Sequence, residues 1–116
     1  MNSRAVATVQ RQYEAYLACD AEAYANCYAS DCVVSNLNGP VTLTGAAAIR
    51  KRYREIFARY PRNNSKLLNR ISLGDVVIDH ERVEREDDGT SFEIVAIYTV
   101  RNDRIARVDF VKQDRQ

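Results

Sequence analysis

The chain has 116 residues, 46% of them hydrophobic and 28% charged, which is typical of a globular domain and not of a disordered one. Seventeen basic against sixteen acidic residues leave a net charge of +1, which argues against a chain held mainly by nucleic acid or an anionic membrane. The sequence contains no apolar run of the roughly 20 residues that cross a bilayer, and no signal-peptide block near its start. We therefore expect one cytoplasmic domain over residues 1–116.

Cysteine and histidine offer little for a metal site. The cysteines are Cys19, Cys27 and Cys32, without a CxxC spacing, and His80 is the single histidine. A structural zinc site needs four such ligands within tetrahedral reach. We expect free thiols in a reducing compartment, with no metal and no cofactor.

Helical periodicity is confined to the first half of the chain. Apolar residues at three- and four-residue steps predict helices over about residues 3–18, 20–28 and 45–59. Asp20 and Thr44 are the expected N-caps of the second and third helices. Pro61 is expected to end the third, because the residue before a proline is pushed out of the helical region.

Strand patterns dominate the second half. The expected strands cover residues 32–37, 41–44, 66–73, 76–85, 90–100 and 104–112, with a hairpin signal at Asp87-Asp88-Gly89 and a turn at Asn102-Asp103. Helices followed by an antiparallel meander indicate an α+β fold with the helices on one face of a curved sheet.

The segment Ile78–Glu84 carries the most informative polar side chains. Strand alternation places His80, Arg82 and Glu84 on one face, and Asp79, Glu81 and Val83 on the other. If the first face lines a pocket, it offers a base, a fixed cation and an acceptor. The alternative is a solvent-facing row closed by ion pairs across strands.

Tyrosine is abundant, with seven residues, and several of them could point inward. Tyr13, Tyr16 and Tyr98 would suit a cavity for an organic ligand of mixed polarity, or would simply fill the core. Asn36 ends the first strand, where it is either a turn residue or an amide that orients a water or a ligand carbonyl.

A basic stretch covers the third helix and the segment after it. Between Arg50 and Lys66 lie seven basic residues and only one acid, Glu55. A solvated helix surface explains this pattern, and an acidic partner is the alternative.

Three segments carry a family resemblance over about residues 5–112. They are the predicted helix from Asp20 to Tyr28 with the following Ala29-Ser30-Asp31-Cys32-Val33, the stretch Thr44-Gly45-Ala46-Ala47-Ala48-Ile49-Arg50, and Asp103-Arg104-Ile105-Ala106-Arg107. The chain thereby resembles the SnoaL-like superfamily, which has the nuclear-transport-factor-2-like, cystatin-like fold. The resemblance implies a cone of three helices against a strongly curved, mostly antiparallel mixed sheet, with a pocket inside and a homodimer.

Two enzyme branches of that superfamily give different site residues. Compared with ketosteroid isomerases, Asn36, Ala96 and Gln12 stand at or near the catalytic positions, and this register turns Asp79, Glu81 and Val83 to the pocket. Compared with limonene-epoxide hydrolases, Glu81-Arg82-Val83-Glu84 resembles their ERVD stretch and Asn36 their water-orienting asparagine, while Val34 and Phe110 replace a tyrosine and the base aspartate. The second match is local and gapless, so it favours His80, Arg82 and Glu84.

The combined expectation is a cofactor-free acid/base enzyme that acts on a small apolar organic molecule by isomerisation, dehydration, cyclisation or hydrolysis. The alternative is a ligand-binding or protein-interaction domain without turnover. The expected catalytic residues are His80, Arg82, Glu84 and Asn36, and the expected substrate-binding residues are Tyr13, Tyr16, Phe57, Tyr98 and Phe110. A homodimer is expected through the outer sheet face with Val95 and Ile97, and no nucleic acid or membrane partner is expected.

Overall fold

A computed structural model describes residues 3–112, which form three helices and six strands. The helices are α1 (Arg4–Leu17), α2 (Ala21–Ala25) and α3 (Ala46–Arg59). The strands are β1 (Tyr28–Asn36), β2 (Val41–Thr44), β3 (Asn63–Leu73), β4 (Val76–Arg85), β5 (Thr90–Arg101) and β6 (Arg104–Lys112). The predicted α+β class is confirmed.

Side-chain caps begin the first two helices. The Ser3 hydroxyl accepts a hydrogen bond from the Val6 amide, and the Asp20 carboxylate accepts one from the Ala23 amide. Each bond satisfies an amide that has no partner within its helix. The cap predicted at Asp20 is therefore confirmed, whereas α2 ends at Ala25 and the chain is already extended at Tyr28.

The third helix begins differently from the prediction. Its N-cap is Gly45 and not Thr44, and no side chain caps it. Gly45 has φ +92°, and a Cβ at this position would stand 2.9 Å from the Ser30 carbonyl oxygen. Its amide donates to the Cys32 carbonyl oxygen at 2.7 Å, which ties the start of α3 to β1. The turn thus needs glycine for both its backbone angle and its close approach.

We expect Gly45→Ala to destabilise the fold by about 2 kcal/mol, because it adds a steric clash to a strained backbone angle. Gly89→Ala is the matched control, since Gly89 also has positive φ but has open space where a Cβ would stand. Urea unfolding of both variants measures the difference. Equal decreases in the free energy of unfolding of the two variants would show that the close approach to the Ser30 carbonyl oxygen does not add to the destabilisation.

The six strands form one mixed sheet in the order β2-β1-β6-β5-β4-β3. All neighbouring pairs are antiparallel except β1 and β6, which run parallel. The pairing of β4 with β5 is continuous from Val76↔Thr99 to Arg85↔Thr90, without a bulge. Alternation along β4 is therefore uninterrupted, so the orientation of one residue fixes that of all the others.

The helices pack on one side of the sheet and enclose the core. Among its most buried members are Val9 of α1, Ile49 of α3, Tyr98 of β5, and Ile105 and Val108 of β6. No helix between residues 3 and 112 is both long and apolar enough to span a membrane. Cys27 and Cys32 are buried free thiols, while Cys19 is half-buried.

Candidate functional site

A cavity of about 570 Å³ lies between α1, α3 and the inner face of the sheet. Aromatic side chains make up most of its apolar wall, and they come from five different elements and the turn after α3. They are Tyr13, Tyr16, Tyr24, Tyr53, Tyr60, Phe92, Tyr98 and Phe110. The size and lining suit a small organic molecule with flat apolar surfaces.

Strand β4 contributes its odd-numbered residues to the cavity side. Val77, Asp79, Glu81 and Val83 are all at most 5% exposed, and Glu81, Val83 and Arg85 line the cavity directly. A carboxyl group is thus held at the wall of an apolar, aromatic cavity. The register suggested by the comparison with ketosteroid isomerases gives the correct face of β4.

His80, Arg82 and Glu84 lie on the opposite, outer face, so the expectation that they line the cavity is wrong. His80 Nε2 is 2.7 Å from Glu93 Oε1, and Arg82 Nη2 donates to Glu93 Oε2 at 3.2 Å. Both hydrogen bonds lower the pKa of the Glu93 carboxyl. Glu84 forms an ion pair with Lys66 at 3.8 Å. The three residues therefore form the solvent-facing row with contacts across strands that was the alternative, and its ion pairs are Arg82–Glu93 and Glu84–Lys66.

Two further expected site residues do not line the cavity. Asn36 pairs with the cavity residue Phe110 in the β1–β6 register but is exposed at the end of its strand. Phe57 is 6% exposed and packs behind the lining, with its ring centroid 5.6 Å from that of Tyr16 and 5.8 Å from that of Tyr53. Phe57 supports the wall without forming it, and Asn36 has no polar contact with the cavity residues.

The other four expected substrate-binding residues, Tyr13, Tyr16, Tyr98 and Phe110, do line the cavity. Burial raises the pKa of Tyr16 to about 12 and holds that of Tyr98 well above its ordinary value. These hydroxyls stay protonated across the working pH range and can donate hydrogen bonds. Their role in binding a substrate stays a prediction.

Glu81 is the buried acid of the cavity. It is 5% exposed, and one of its carboxyl oxygens accepts a hydrogen bond from the Ser65 hydroxyl at 2.8 Å. Burial raises the pKa of Glu81 above its ordinary value, and the neighbouring Asp79 adds to the rise, while Ser65 and Arg70 oppose it. A carboxyl group whose pKa moves toward neutrality can exchange protons with a bound molecule more easily than an ordinary surface glutamate.

Tyr13 fixes the strand that carries Ser65. Its hydroxyl donates to the Ser65 carbonyl oxygen at 2.7 Å and accepts from the Leu67 amide at 3.1 Å. Because Ser65 also donates its side-chain hydroxyl to Glu81, α1 and β3 together hold the carboxyl in place. Sequence patterns do not reveal this link, since Ser65 is an ordinary polar residue near the start of a strand.

Asp79 does not line the cavity and forms a buried ion pair with Arg70. Arg70 donates from Nε to Asp79 Oδ1 at 2.7 Å and from Nη2 to Oδ2 at 2.9 Å, and its Nη1 donates to Gln10 at 2.7 Å. The Asp79 side chain is 1% exposed and the Arg70 side chain 17%. Both Asp79 oxygens are occupied by this pair, which leaves Glu81 as the buried carboxyl that faces the cavity.

A second chain of hydrogen bonds connects α1, β1 and α2 beside the cavity. Gln12 donates through its amide to the Tyr28 hydroxyl at 3.1 Å, and Tyr28 donates to the Tyr24 hydroxyl at 2.9 Å. Burial holds the pKa values of Tyr24 and Tyr28 well above their ordinary range. Gln12 and Tyr24, which line the cavity, therefore belong to a hydrogen-bonded chain that carries no charge. Within residues 3–112, no three His, Cys, Asp or Glu side chains gather closely enough to hold a metal ion.

The buried position of Glu81 makes stability depend on pH. Its folded pKa is raised, so between the ordinary and the raised value the folded state holds more protons than the unfolded state. The contribution of Glu81 is therefore fully present below about pH 4.5 and is lost as the pH rises through the folded pKa. We expect the free energy of unfolding of the wild type, relative to Glu81→Gln, to fall over this range. Urea unfolding at pH 4.5 to 8 tests it, and a difference that is constant or rises with pH would contradict the sign.

Comparison with known proteins agrees with this architecture. The model of the SnoaL-like domain family matches residues 9–108. An uncharacterised cystatin-fold protein from Novosphingobium aromaticivorans is 28% identical with a TM-score of 0.85, and the match covers 95% of this chain and 99% of that one. None of the curated proteins compared with the chain matches it.

Two more distant structures share the fold. A candidate polyketide cyclase from Sinorhizobium meliloti is 21% identical with a TM-score of 0.75, and the match covers 90% of this chain and 94% of that one. A protein with a ketosteroid isomerase-like fold from Catenulispora acidiphila, solved in complex with trimethylamine, is 15% identical with a TM-score of 0.74, over 90% and 83% of the two chains.

Proposed function

Because this chain belongs to the SnoaL-like domain family, we propose that it is an acid/base enzyme that needs no cofactor and uses Glu81 to move protons on a small apolar organic molecule. Isomerisation, dehydration, cyclisation and hydrolysis all fit this description, since each needs a proton removed from carbon or water and one delivered elsewhere. The observation that carries the proposal is the buried Glu81 carboxyl at the wall of an aromatic cavity, with its pKa raised by burial.

Glu81 and Tyr98 supply the two parts of such a reaction. Glu81, as carboxylate, takes a proton from the carbon next to a substrate carbonyl. The electron pair of that C–H bond forms the C=C bond of an enolate, and the π pair of the C=O bond moves to the carbonyl oxygen. The Tyr98 hydroxyl makes no hydrogen bond to any residue between 3 and 112, and it stays protonated. It can therefore donate to the oxygen as negative charge develops there. Return of the proton from Glu81 to carbon completes the cycle.

A generic carbon acid tests this proposal without knowledge of the natural substrate. We choose 2-tetralone, an apolar bicyclic ketone, and measure exchange of its α-protons in D₂O by NMR. The enzyme should accelerate the exchange, and the acceleration should depend on Glu81. If the protein binds 2-tetralone without accelerating exchange, the cavity is a binding site and the enzyme proposal is wrong.

We also propose that the chain is a homodimer through the outer face of the sheet. Leu73 and Ile71 of β3 are 87% and 65% exposed there, and the half-buried Val95 and Ile97 lie on β5, on the other side of β4. An exposed apolar sheet face of this kind is typical of an interface. Light scattering should give twice the 13.2 kDa chain mass, and Val95→Arg should give the single mass. A particle of 13.2 kDa for the wild type at micromolar concentration would contradict the dimer.

A further inference from the structure

The cavity carries an excess of positive charge that the acid/base proposal does not use. Four basic side chains line it, and we call them the basic collar: Arg52 and Arg59 of α3, Arg85 of β4 and Lys112 of β6. Among residues 3–112, only two carboxyl groups line the same cavity, the buried Glu81 and Glu55 of α3. Arg52, Arg59 and Lys112 are exposed and Arg85 is half-buried, so the collar lies at the open side and Glu81 at the wall.

Within residues 3–112, none of the four collar cations has a carboxylate within 4.0 Å. The contrast with the rest of the helix is clear, because Arg50 and Arg54 both form ion pairs with Glu22. Four of the five basic residues of α3 therefore fall into two pairs with different surroundings. Arg50 and Arg54 share the Glu22 carboxylate of α2, whereas Arg52 and Arg59 line the cavity and form no ion pair within residues 3–112.

Arg85 is the best-positioned member of the collar. Its guanidinium carbon is 4.6 Å from the centroid of the Tyr60 ring and 5.1 Å from that of Phe92, and its Nε donates to Asn63 Oδ1 at 3.3 Å. Two aromatic rings and one neutral amide thus hold the group in place without cancelling its charge. Its terminal N–H groups make no hydrogen bond within residues 3–112, so they are available to an oxyanion.

We propose that the substrate is an amphipathic aromatic oxyanion, with its flat apolar part among the cavity tyrosines and a carboxylate or similar group at the basic collar. This inference rests on the proposed function for the identity of the site, and it adds the substrate class. The apolar part reaches Glu81 and Tyr98, while the anionic group stays at the open side. Charge at the mouth also attracts such molecules and excludes cationic ones.

A pair of probes that differ only in charge tests the inference. At pH 7, 2-naphthoate carries a carboxylate, and 2-naphthamide has the same ring system and nearly the same size without the charge. Calorimetry should show naphthoate binding about tenfold more tightly. Arg59→Gln and Arg52→Gln, both at exposed positions, should each weaken naphthoate about three- to tenfold and leave naphthamide unchanged.

Arg54→Gln is the matched control, since it removes the same charge from the same helix at a position paired with Glu22 outside the cavity. It should not change naphthoate binding. Equal affinity for the two probes, no binding of either at about 1 mM, or an equal loss in Arg54→Gln and Arg59→Gln would overturn the inference.

Failure of this inference and failure of the enzyme proposal give different results. Charge-selective binding without Glu81-dependent exchange of 2-tetralone would support oxyanion binding at the basic collar and contradict the enzyme proposal. Glu81-dependent exchange without charge-selective binding would contradict oxyanion binding at the basic collar and support the enzyme proposal.

Discussion

Glu81→Gln should slow the enzyme-accelerated α-proton exchange of 2-tetralone by about 100- to 10,000-fold, the usual range for loss of a general acid/base group. Glutamine keeps the size of the side chain and can still accept the Ser65 hydrogen bond, so the cavity wall stays in place. Its amide cannot take up the proton. NMR in D₂O measures the exchange rate, and calorimetry with the same ketone shows that binding persists.

Two controls separate the faces of β4. Glu84→Gln removes a carboxyl group from the same strand on its outer face, where it pairs with Lys66. His80→Gln removes the histidine that pairs with Glu93 on that face. Both variants should keep the exchange rate of the wild type. If either control lowers the exchange rate as much as Glu81→Gln does, the catalytic site lies on the outer face of β4.

Arg70→Met should destabilise the fold by about 3 kcal/mol, at the lower end of the range for breaking a buried ion pair because Arg70 keeps 17% exposure. The change leaves the Asp79 carboxylate, 1% exposed, without its two charged hydrogen bonds. It also breaks the link to Gln10 that joins α1 to β3. Urea unfolding at pH 7 measures the effect.

Arg82→Met is the matched control for this prediction. It removes the same type of side chain from an ion pair with Glu93 on the outer face, where both partners are well exposed and screened by water. Its effect on the free energy of unfolding should be clearly smaller. Equal effects of Arg70→Met and Arg82→Met would mean that burial adds nothing to the Arg70–Asp79 pair.

Local patterns in the sequence predict most of the fold. Periodicity places α1, α3 and the four long strands of the second half, because each presents one apolar face to a common core. The end of α2 and the start of β1 are misplaced, since Tyr24, Cys27 and Tyr28 are all buried although they lie on different elements. Burial alone does not reveal where the helix stops.

The face of β4 that lines the cavity is much harder to predict. Alternation divides the strand into two sets, and each set contains charged residues, so polarity does not show which one is inside. Val77 and Val83 mark the buried set, but the half-buried Ile78 weakens the signal from the other side. The carboxyls of Asp79 and Glu81 are tolerated inside only because Arg70 and Ser65, from a different strand, are hydrogen-bonded to them.

The basic collar is also hard to predict from the sequence, because it depends on contacts between different helices and strands. Sequence shows the basic surface of α3 but not its division, because Arg50 and Arg54 find Glu22 on a neighbouring helix while Arg52 and Arg59 meet Arg85 and Lys112 at the cavity. Side chains from three elements are needed to form it. The expected solvated helix surface therefore accounts for only part of the basic stretch between Arg50 and Lys66.

The most direct measurement for the central claim is a ¹³C NMR titration of the Glu81 side-chain carboxyl, assigned through its absence in Glu81→Gln. The proposed role of Glu81 predicts a midpoint above the ordinary value of 4.5, and a signal that shifts when 2-tetralone enters the cavity. A midpoint at or below 4.5 with no response to 2-tetralone would contradict it, since Glu81 would then be neither poised for proton transfer nor in contact with the ligand.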